Sequence, residues 1–439
     1  MKKNYIFIAF LFLTTLMVGQ NKDFVPTSGV IWSEPNNWTP NGVPTITNDV
    51  RLPGTIESDL DINLILSRLQ TVFGTGNTGG TETIIAGSGV LTIDAGSNAS
   101  TAKGIANLSG NGINLIFRGS VIIDNSTTTG IKNTLLTLGN NASNQYTFDD
   151  GSNLTLNTPL EARSGAGAGN YSFNGVLSGA GALRFNANTT ITFGSTSDNS
   201  GRTGDLVWVG PNTSVVVNTA DNGVFMPSLQ KVQSNADNGS IVINGVNVYR
   251  GSIGVDGSRT FTFDVNANQN SMNEIQFTGA GAGTLNIDLD NSVTLLHFSN
   301  ATEDDWASGT VNIIGYKEGV VRFGADNTAL TTAQLAQITV DGTGGPVALD
   351  ADGYLVNESS LSVDDFEAGA NRPIAYPTLA DDKLFFSKVQ NNVKIVDLNG
   401  RVLFSSAADN QTEVSVDFLN TGIYLIIFDN KKTQKFIKK

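Results

Sequence analysis

The chain has no cysteine and only one histidine among its 439 residues. Without thiols there are no disulfides, no thiolate metal sites, no cysteine nucleophile and no lipid-modified cysteine anchor. His297 alone excludes multi-histidine zinc sites and leaves a Ser-His-Asp triad dependent on a single ring. Its setting, Val293-Thr-Leu-Leu-His-Phe298, has strand period and puts the ring on a face with Val293 and Leu295, as a partly buried structural histidine. Basic residues are scarce, 26 Lys and Arg against 40 Asp and Glu, for a net charge of −14. Loss of Lys2 and Lys3 with a cleaved leader would make it −16, and neither value suits phosphate-backbone binding, which needs a basic face. Long apolar runs are missing except for Tyr5–Val18 behind Lys2 and Lys3. That run is short of the roughly 20 residues a bilayer-spanning helix takes, so residues 1–19 read as a signal peptide.

What is abundant is glycine, 48 residues, together with Asn, Thr and Ser, while apolar residues still make up 39%. That is enough to fill a core, and Gly and Asn are the residues that take positive-φ corners at low steric cost. One template recurs: Gly87-Ser-Gly-Val-Leu-Thr-Ile-Asp94, Gly179-Ala-Gly-Ala-Leu-Arg-Phe-Asn186 and Gly281-Ala-Gly-Thr-Leu-Asn-Ile-Asp288. Its return suggests a stacked, quasi-one-dimensional β architecture with each copy building one coil. Short period-2 segments between turns predict strands at Ile62–Leu66, Val90–Ile93, Leu115–Phe117, Val121–Ile123, Leu154–Leu156 and Leu183–Phe185, then at Val215–Val217, Ile241–Ile243, Phe261–Val265 and Leu285–Leu289. Coils of about 20–25 residues would number on the order of ten. The expected fold is all-β, a right-handed parallel β-helix over residues 20–358; a pair of β-sandwiches is the competing expectation.

Both ends of that region break the rhythm. Ile31-Trp-Ser-Glu-Pro-Asn-Asn-Trp38 gathers two tryptophans among turn-formers, as expected for a cap over an unpartnered first coil, with carbohydrate stacking by Trp32 and Trp38 as the alternative. The segment resembles the opening of many bacterial surface β-helix proteins. Residues 303–356 contain Trp306, Val321-Arg-Phe-Gly324 and a short helix signal, with Thr331 or Thr332 as N-cap and Leu330, Leu335 and Ile338 on one side. This block resembles the closing segment of passenger-type β-helix proteins. Residues 359–373 are polar and acidic and read as a linker.

Residues 374–439 predict a small antiparallel β-sandwich, with strands at Lys383–Ser387, Val393–Leu398, Arg401–Ser405, Val414–Phe418, Ile423–Phe428 and Thr433–Ile437. Asn399-Gly400 is a strong hairpin signal. Tyr376-Pro377, Val393-Lys-Ile-Val-Asp-Leu-Asn-Gly-Arg-Val402, Thr421-Gly-Ile-Tyr-Leu425 and Lys435-Phe-Ile-Lys-Lys439 resemble the type A C-terminal sorting domain of cargo of the type IX secretion system of Bacteroidota. Thr378-Leu379 departs from the Asn-Pro that usually follows Tyr-Pro. The residues carrying the resemblance are Tyr376, Pro377, Asp397, Asn399, Gly400, Gly422, Tyr424, Lys435, Lys438 and Lys439. It implies recognition by the type IX machinery, passage across the outer membrane, and secretion or surface attachment.

Signals for chemistry are weak. Gly74-Thr-Gly-Asn-Thr-Gly79 fits a dinucleotide string, but a strand-like Thr81–Ile85 follows where the phosphate-binding helix is needed. Acidic pairs occur at Asp149-Asp150, Asp288/Asp290, Asp304-Asp305, Asp350/Asp352 and Asp364-Asp365, and each reads as turn-forming or solubilising. Asp350-Ala-Asp-Gly353 lacks the downstream Glu that closes a calcium loop, so no cofactor is expected and Ca²⁺ is the one ion the acidic pairs leave open. The expected role is non-catalytic: adhesion, matrix or glycan contact, with extracellular polysaccharide or a neighbouring surface as partner and no nucleic acid. A polysaccharide lyase or glycoside hydrolase is the alternative, and it would need carboxylates converging with a base such as Arg118, Lys132, Arg184 or Arg202.

Overall fold

The computed structural model describes residues 20–72, 82–95, 104–108, 112–125, 134–138, 143–164, 169–228, 230–299, 306, 309–342, 347–357, 375–407, 410–428 and 433–439. The leader at 1–19, the Gly74–Gly79 string, Lys132, Asp304-Asp305 and the 359–373 linker with Asp364-Asp365 lie outside the described residues. Contacts divide the chain into two compact units, Met1–Leu361 and Ser362–Lys439.

The regular structure of the first unit is almost all strand, and after its opening antiparallel pair the long sheets are parallel. One sheet of 12 strands runs in chain order from Ile56–Asp59 to Ile338–Val340, each strand hydrogen-bonded to the next member of the series. A second sheet of 12 strands runs from Trp38–Thr39 and Gln20–Phe24 to Ile275–Thr278, and a third of five strands covers Leu64–Leu66 to Val176–Ser178. The chain visits these sheets in turn and then returns to the first; none of the sheets closes on itself. Parallel pairing rules out two antiparallel sandwiches for this unit.

Alternation explains the core. In the first sheet Leu115, Tyr146, Tyr171, Ile191, Val215, Ile241, Phe263, Ile287 and Ile313 stand in register one above the next, and all are buried. Beside them Phe117, Phe148, Phe173 and Phe193 form a stacked column with ring centroids 4.9, 5.2 and 5.3 Å apart. The Tyr146 hydroxyl donates to Thr137 O at 2.8 Å and the Tyr171 hydroxyl to Arg163 O at 2.8 Å, tying this sheet to the backbone of the second. Burial pushes both phenols above their ordinary pKa, so they remain donors.

The corners use the expected residues. Asn188, Asn212, Asn222, Asn238 and Asn247 all take φ between 55° and 62°. Asn244 Nδ2 donates to Asn218 Oδ1 at 2.7 Å and Asn266 Nδ2 to Asn244 Oδ1 at 2.8 Å, an amide ladder along one edge.

Three expectations about this unit change. The Gly-x-Gly template does not mark one place in a repeating coil: Val90–Ile93 lies in the third sheet, Leu183–Phe185 in the second and Thr284–Leu289 in the first. What the copies share is local. Gly87, Gly179 and Gly281 have φ of 114°, 95° and 132°, and a Cβ on Gly179 would meet the Leu156 carbonyl of the strand-turn below. Repeat length also varies more than expected: Tyr171 pairs with Ile191, 20 residues on, whereas Glu82 pairs with Asn114, 32 residues on. The closing helix is one turn, Thr332–Leu335, capped by Thr331 in a reciprocal capping box with Gln334; Ile338 already belongs to the next strand.

The second unit has two sheets. One has three strands in the order Ala375–Tyr376, Lys383–Gln390, Gln411–Ser415; the other has five in the order Leu379–Ala380, Thr433–Lys438, Gly422–Ile427, Val393–Asp397, Val402–Ser406. It is not purely antiparallel, because Leu379–Ala380 runs parallel to the last strand. The strand expected at Val414–Phe418 is Gln411–Ser415, since the chain turns after Val416, where the Leu419 amide bonds back to the Val416 carbonyl at 3.0 Å.

Candidate functional site

Both tryptophans of the opening segment are inside. Trp32 and Trp38 are 0% and 2% exposed, pack on Phe24, and Trp38 Nε1 donates to Trp32 O at 2.9 Å. Buried rings offer no face to a sugar, so the stacking alternative falls. His297 is partly buried, but not on a face with Val293: its neighbours Leu296 and Phe298 point inward and the ring lies between two backbone carbonyls, Asn270 O at 2.9 Å and Gly324 O at 3.0 Å. No serine or carboxylate is among its hydrogen-bond partners.

The cations considered for catalysis do not converge. Arg118 is exposed and lies 3.4 Å from Glu57, two strands away in the first sheet, and 3.1 Å from Asp149. Arg184 lies 3.7 Å from Glu161, a buried carboxylate that also takes Arg163 at 2.6 Å and Asn186 Nδ2 at 2.8 Å. Arg202 is fully enclosed; it donates to the carbonyls of Gly204 and Asp205, and burial lowers its pKa to about 10, so it remains charged at neutral pH. A protonated guanidinium is no base. Asp350 accepts from the amides of Asp352 at 2.9 Å and Tyr354 at 2.8 Å and so shapes a hairpin between Val347–Leu349 and Leu355–Asn357. Asp290 does the same for the Ser292 amide at 2.8 Å. Among the described residues no three His, Asp or Glu side chains gather as a metal site.

The extended feature of this unit is the outer face of its first sheet. Asn114, Gln145, Asn170, Thr190, Ser214, Ser240, Thr262, Asn286, Asn312 and Thr339 stand in unbroken register, none of them buried. A second row, two residues on, reads Thr147, Ser172, Thr192, Val216, Val242, then Asp264 and Asp288. Strand geometry spaces such side chains about 4.8 Å along the stack and about 7 Å across it. Asp264 is the one strained member: partial burial first, then the charges of Asp288 and Asp290, raise its pKa. Sequence inspection found the strands but missed this array, because its members are single residues 20 to 31 positions apart.

In the second unit, the turn at Asn399-Gly400 is built by Asp397. Its Oδ1 accepts from the amides of Asn399 at 3.0 Å and Arg401 at 2.9 Å, its Oδ2 from Arg401 Nε at 3.1 Å, and its carbonyl from Gly400 at 2.9 Å. The Arg401 and Asn399 amides and the Arg401 charge hold its carboxyl below the usual range, against a smaller desolvation effect. Only Gly400 takes positive φ, +80°, so the turn is a three-residue loop rather than the two-residue one that Asn-Gly suggests. Tyr424 packs on Phe436 at 5.7 Å and its hydroxyl donates to Asn420 O at 2.9 Å, two residues before Gly422. Lys435 lies exposed on the last strand, and the Lys439 amide bonds to Ala380 O at 3.0 Å. Tyr376 and Pro377 are joined by a cis peptide beside Phe385, remote in sequence from the Asp397 turn. Gln434, unnoticed in the sequence, clamps the ends together: its side chain gives and takes a bond with the Ala375 backbone, each 2.8 Å. Between the free edges Val402–Ser406 and Gln411–Ser415 a cleft of about 450 Å³ is lined by Leu403, Phe404, Glu413, Val414 and Phe418.

Residues 375–439 match the family model described as the secretion system C-terminal sorting domain. No curated protein and no solved structure matches the chain. Among the described residues no helix is long and apolar enough to cross a membrane. The second unit is thus a type IX sorting domain, and the chain that carries it is a secreted protein exported by that system, for release or for attachment at the cell surface.

Proposed function

We propose that residues 20–358 form a right-handed parallel β-helix, capped by the tryptophan-rich opening and by the 303–356 segment, that residues 1–19 direct the chain to the periplasm, and that the exported protein is a non-catalytic adhesin-like, matrix or glycan-contact protein on the outer-membrane surface of a member of the Bacteroidota. The observation that carries this reading is the register of ten uncharged polar residues from Asn114 to Thr339. A long, regular row of hydroxyl and amide groups beside Val216 and Val242 suits a repeating, uncharged ligand such as an extended polysaccharide, which offers alternating hydroxyl and C–H surface. The arginine–carboxylate contacts give the hydrolase alternative no comparable support, since Arg118 is already engaged by Glu57 and Asp149 and Arg184 lies beside Glu161.

The test is to incubate the purified mature protein with a panel of insoluble polysaccharides. Retention without new reducing ends or unsaturated products is expected, and the double substitution Ser214→Asp, Ser240→Asp should weaken it. Product release would sink the non-catalytic reading. Undiminished retention by the double variant would sink the assignment to this face.

A further inference from the structure

The sorting domain carries apolar side chains where a free-standing sandwich would carry polar ones. Of the sixteen large apolar residues exposed among the described residues, nine lie between Tyr376 and Ile437. Such concentration on a small unit marks a contact surface rather than chance scatter. Register shows how several of them join. Ile437 pairs with Leu379 on one side and with Ile423 on the other, and these three are 39%, 45% and 41% exposed. In the next row Leu425 pairs with Val396, which pairs with Val402, itself 54% exposed. Leu425 is half-buried and Val396, between Leu425 and Val402, is 6% exposed, while the core of the unit is made by neighbours such as Ile395, Ile426 and Phe436. The five-stranded sheet therefore carries an apolar stripe that is exposed at Leu379, Ile437, Ile423 and Val402 and continues through half-buried Leu425 and buried Val396.

Its rim is basic. Lys435 pairs with Leu425 in the stripe's second row, and Lys394 pairs with Ile427 in the row beyond. Both are exposed, and neither forms an ion pair among the described residues. The charge of the whole domain agrees: residues 375–439 hold nine Lys and Arg against seven Asp and Glu, +2, whereas the chain's −14 leaves −16 for the remainder.

We propose that this outer face, and not the rest of the domain's surface, is what the type IX machinery grips, and that the machinery meets it with an apolar centre and an acidic rim. The inference rests on the sorting assignment and is independent of what the exported protein binds. An apolar centre supplies affinity through burial, and unpaired lysines at the rim select and steer an acidic partner.

The test uses the full chain in a cell that carries the machinery, scoring surface and periplasmic fractions. Ile423→Asp puts a charge in the centre of the stripe; the pair Lys394→Glu, Lys435→Glu reverses the rim at two exposed positions that bear no packing. Phe385→Asp, on the outer face of the other sheet, is the control. Both stripe variants should lose about tenfold or more of surface delivery, the effect of roughly 1.4 kcal/mol in binding, and accumulate in the periplasm as chains with unchanged protease resistance. Normal delivery of the lysine variant, or equal loss from Phe385→Asp, would overturn the assignment of the face. Deleting residues 375–439 separates the two levels: if the deleted chain still reaches the surface, the sorting assignment itself is wrong.

Discussion

The Phe117–Phe148–Phe173–Phe193 column makes a quantitative claim about the first unit. Phe173 is 2% exposed and sits between two rings, 5.2 Å from Phe148 at an interplanar angle of 4° and 5.3 Å from Phe193 at 21°. Truncation to alanine removes a buried phenyl group, which costs about 3–5 kcal/mol in a core that relaxes only partly. Two stacking contacts add about 0.5–1.5 kcal/mol each beyond the area term. Phe173→Leu keeps much of the volume and forfeits chiefly the stacking, so about 1–3 kcal/mol is expected from the same contacts. Ser172→Ala, one residue earlier and facing outward, should stay within about 0.5 kcal/mol. Denaturant unfolding of the full chain, followed by far-ultraviolet circular dichroism, measures all three. Because each strand of the first sheet pairs with its neighbours in the series, the Phe173→Ala transition should also broaden, as strands around the gap open before the ends. A loss under about 1 kcal/mol for Phe173→Ala, or an equal loss for Ser172→Ala, would show that the column is not packed as described.

Four further outcomes are expected. Gly179→Ala should destabilise strongly, since φ of 95° is unfavourable for an L-residue and the new methyl meets the Leu156 carbonyl; a melting temperature unchanged from the parent would refute the close approach. Arg202→Met should be neutral or stabilising at neutral pH, because an enclosed charge with Nε and Nη1 unpartnered is exchanged for a flexible apolar chain; a loss above about 3 kcal/mol would mean the guanidinium is better satisfied than it looks. Its folded pKa of about 10 lies below the ordinary value of 12.5, so the cost of charging it is fully present below pH 10 and fades above, and the variant's advantage should shrink there. Asp264 is raised instead, so its ionisation costs stability above its folded pKa: Asp264→Asn should melt higher than the parent at pH 7 and lose that advantage in acid below the ordinary carboxylate range, and equal melting at both pH values would refute the repulsion. Asp397 is lowered, so its contribution is present above the unfolded carboxylate pKa and lost as pH falls through the folded one; Asp397→Ala should loosen the Asp397–Arg401 turn at neutral pH, read as faster amide exchange at Arg401.

Local rules explain why so much was legible. Period-2 alternation located Val90–Ile93 and Leu183–Phe185 to the residue, because a strand with one buried face must alternate. Asn was the residue expected at positive-φ corners, and Asn188 takes φ of 57°, because few other residues tolerate it. Thr331 was a candidate N-cap and is one, because its hydroxyl accepts from the Gln334 amide of the first turn. The errors share a cause as well. Val414–Phe418 was misjudged by three residues because Val416 and Leu419 are apolar whether they lie in a strand or in the turn that follows it. Arg202 reads from the sequence as an available base because nothing in its neighbours along the chain reveals that its side chain is fully buried.

The sequence by itself determined the β class, the turns, the strand faces and the address carried by residues 375–439, all of which depend on residues close together along the chain. Only the tertiary structure decided which sheet each strand joins. The Gly-x-Gly template specifies a close approach to whatever lies beneath it, and that partner differs among Gly87, Gly179 and Gly281 because the intervening loops differ in length. The same stacking decided that Trp32 and Trp38 face inward, that Asn114 through Thr339 line up across most of the first unit, and that Leu379, Ile423 and Ile437 meet on one surface. Register between strands distant in the chain is a sum over every loop between them, and no local window of residues contains that sum.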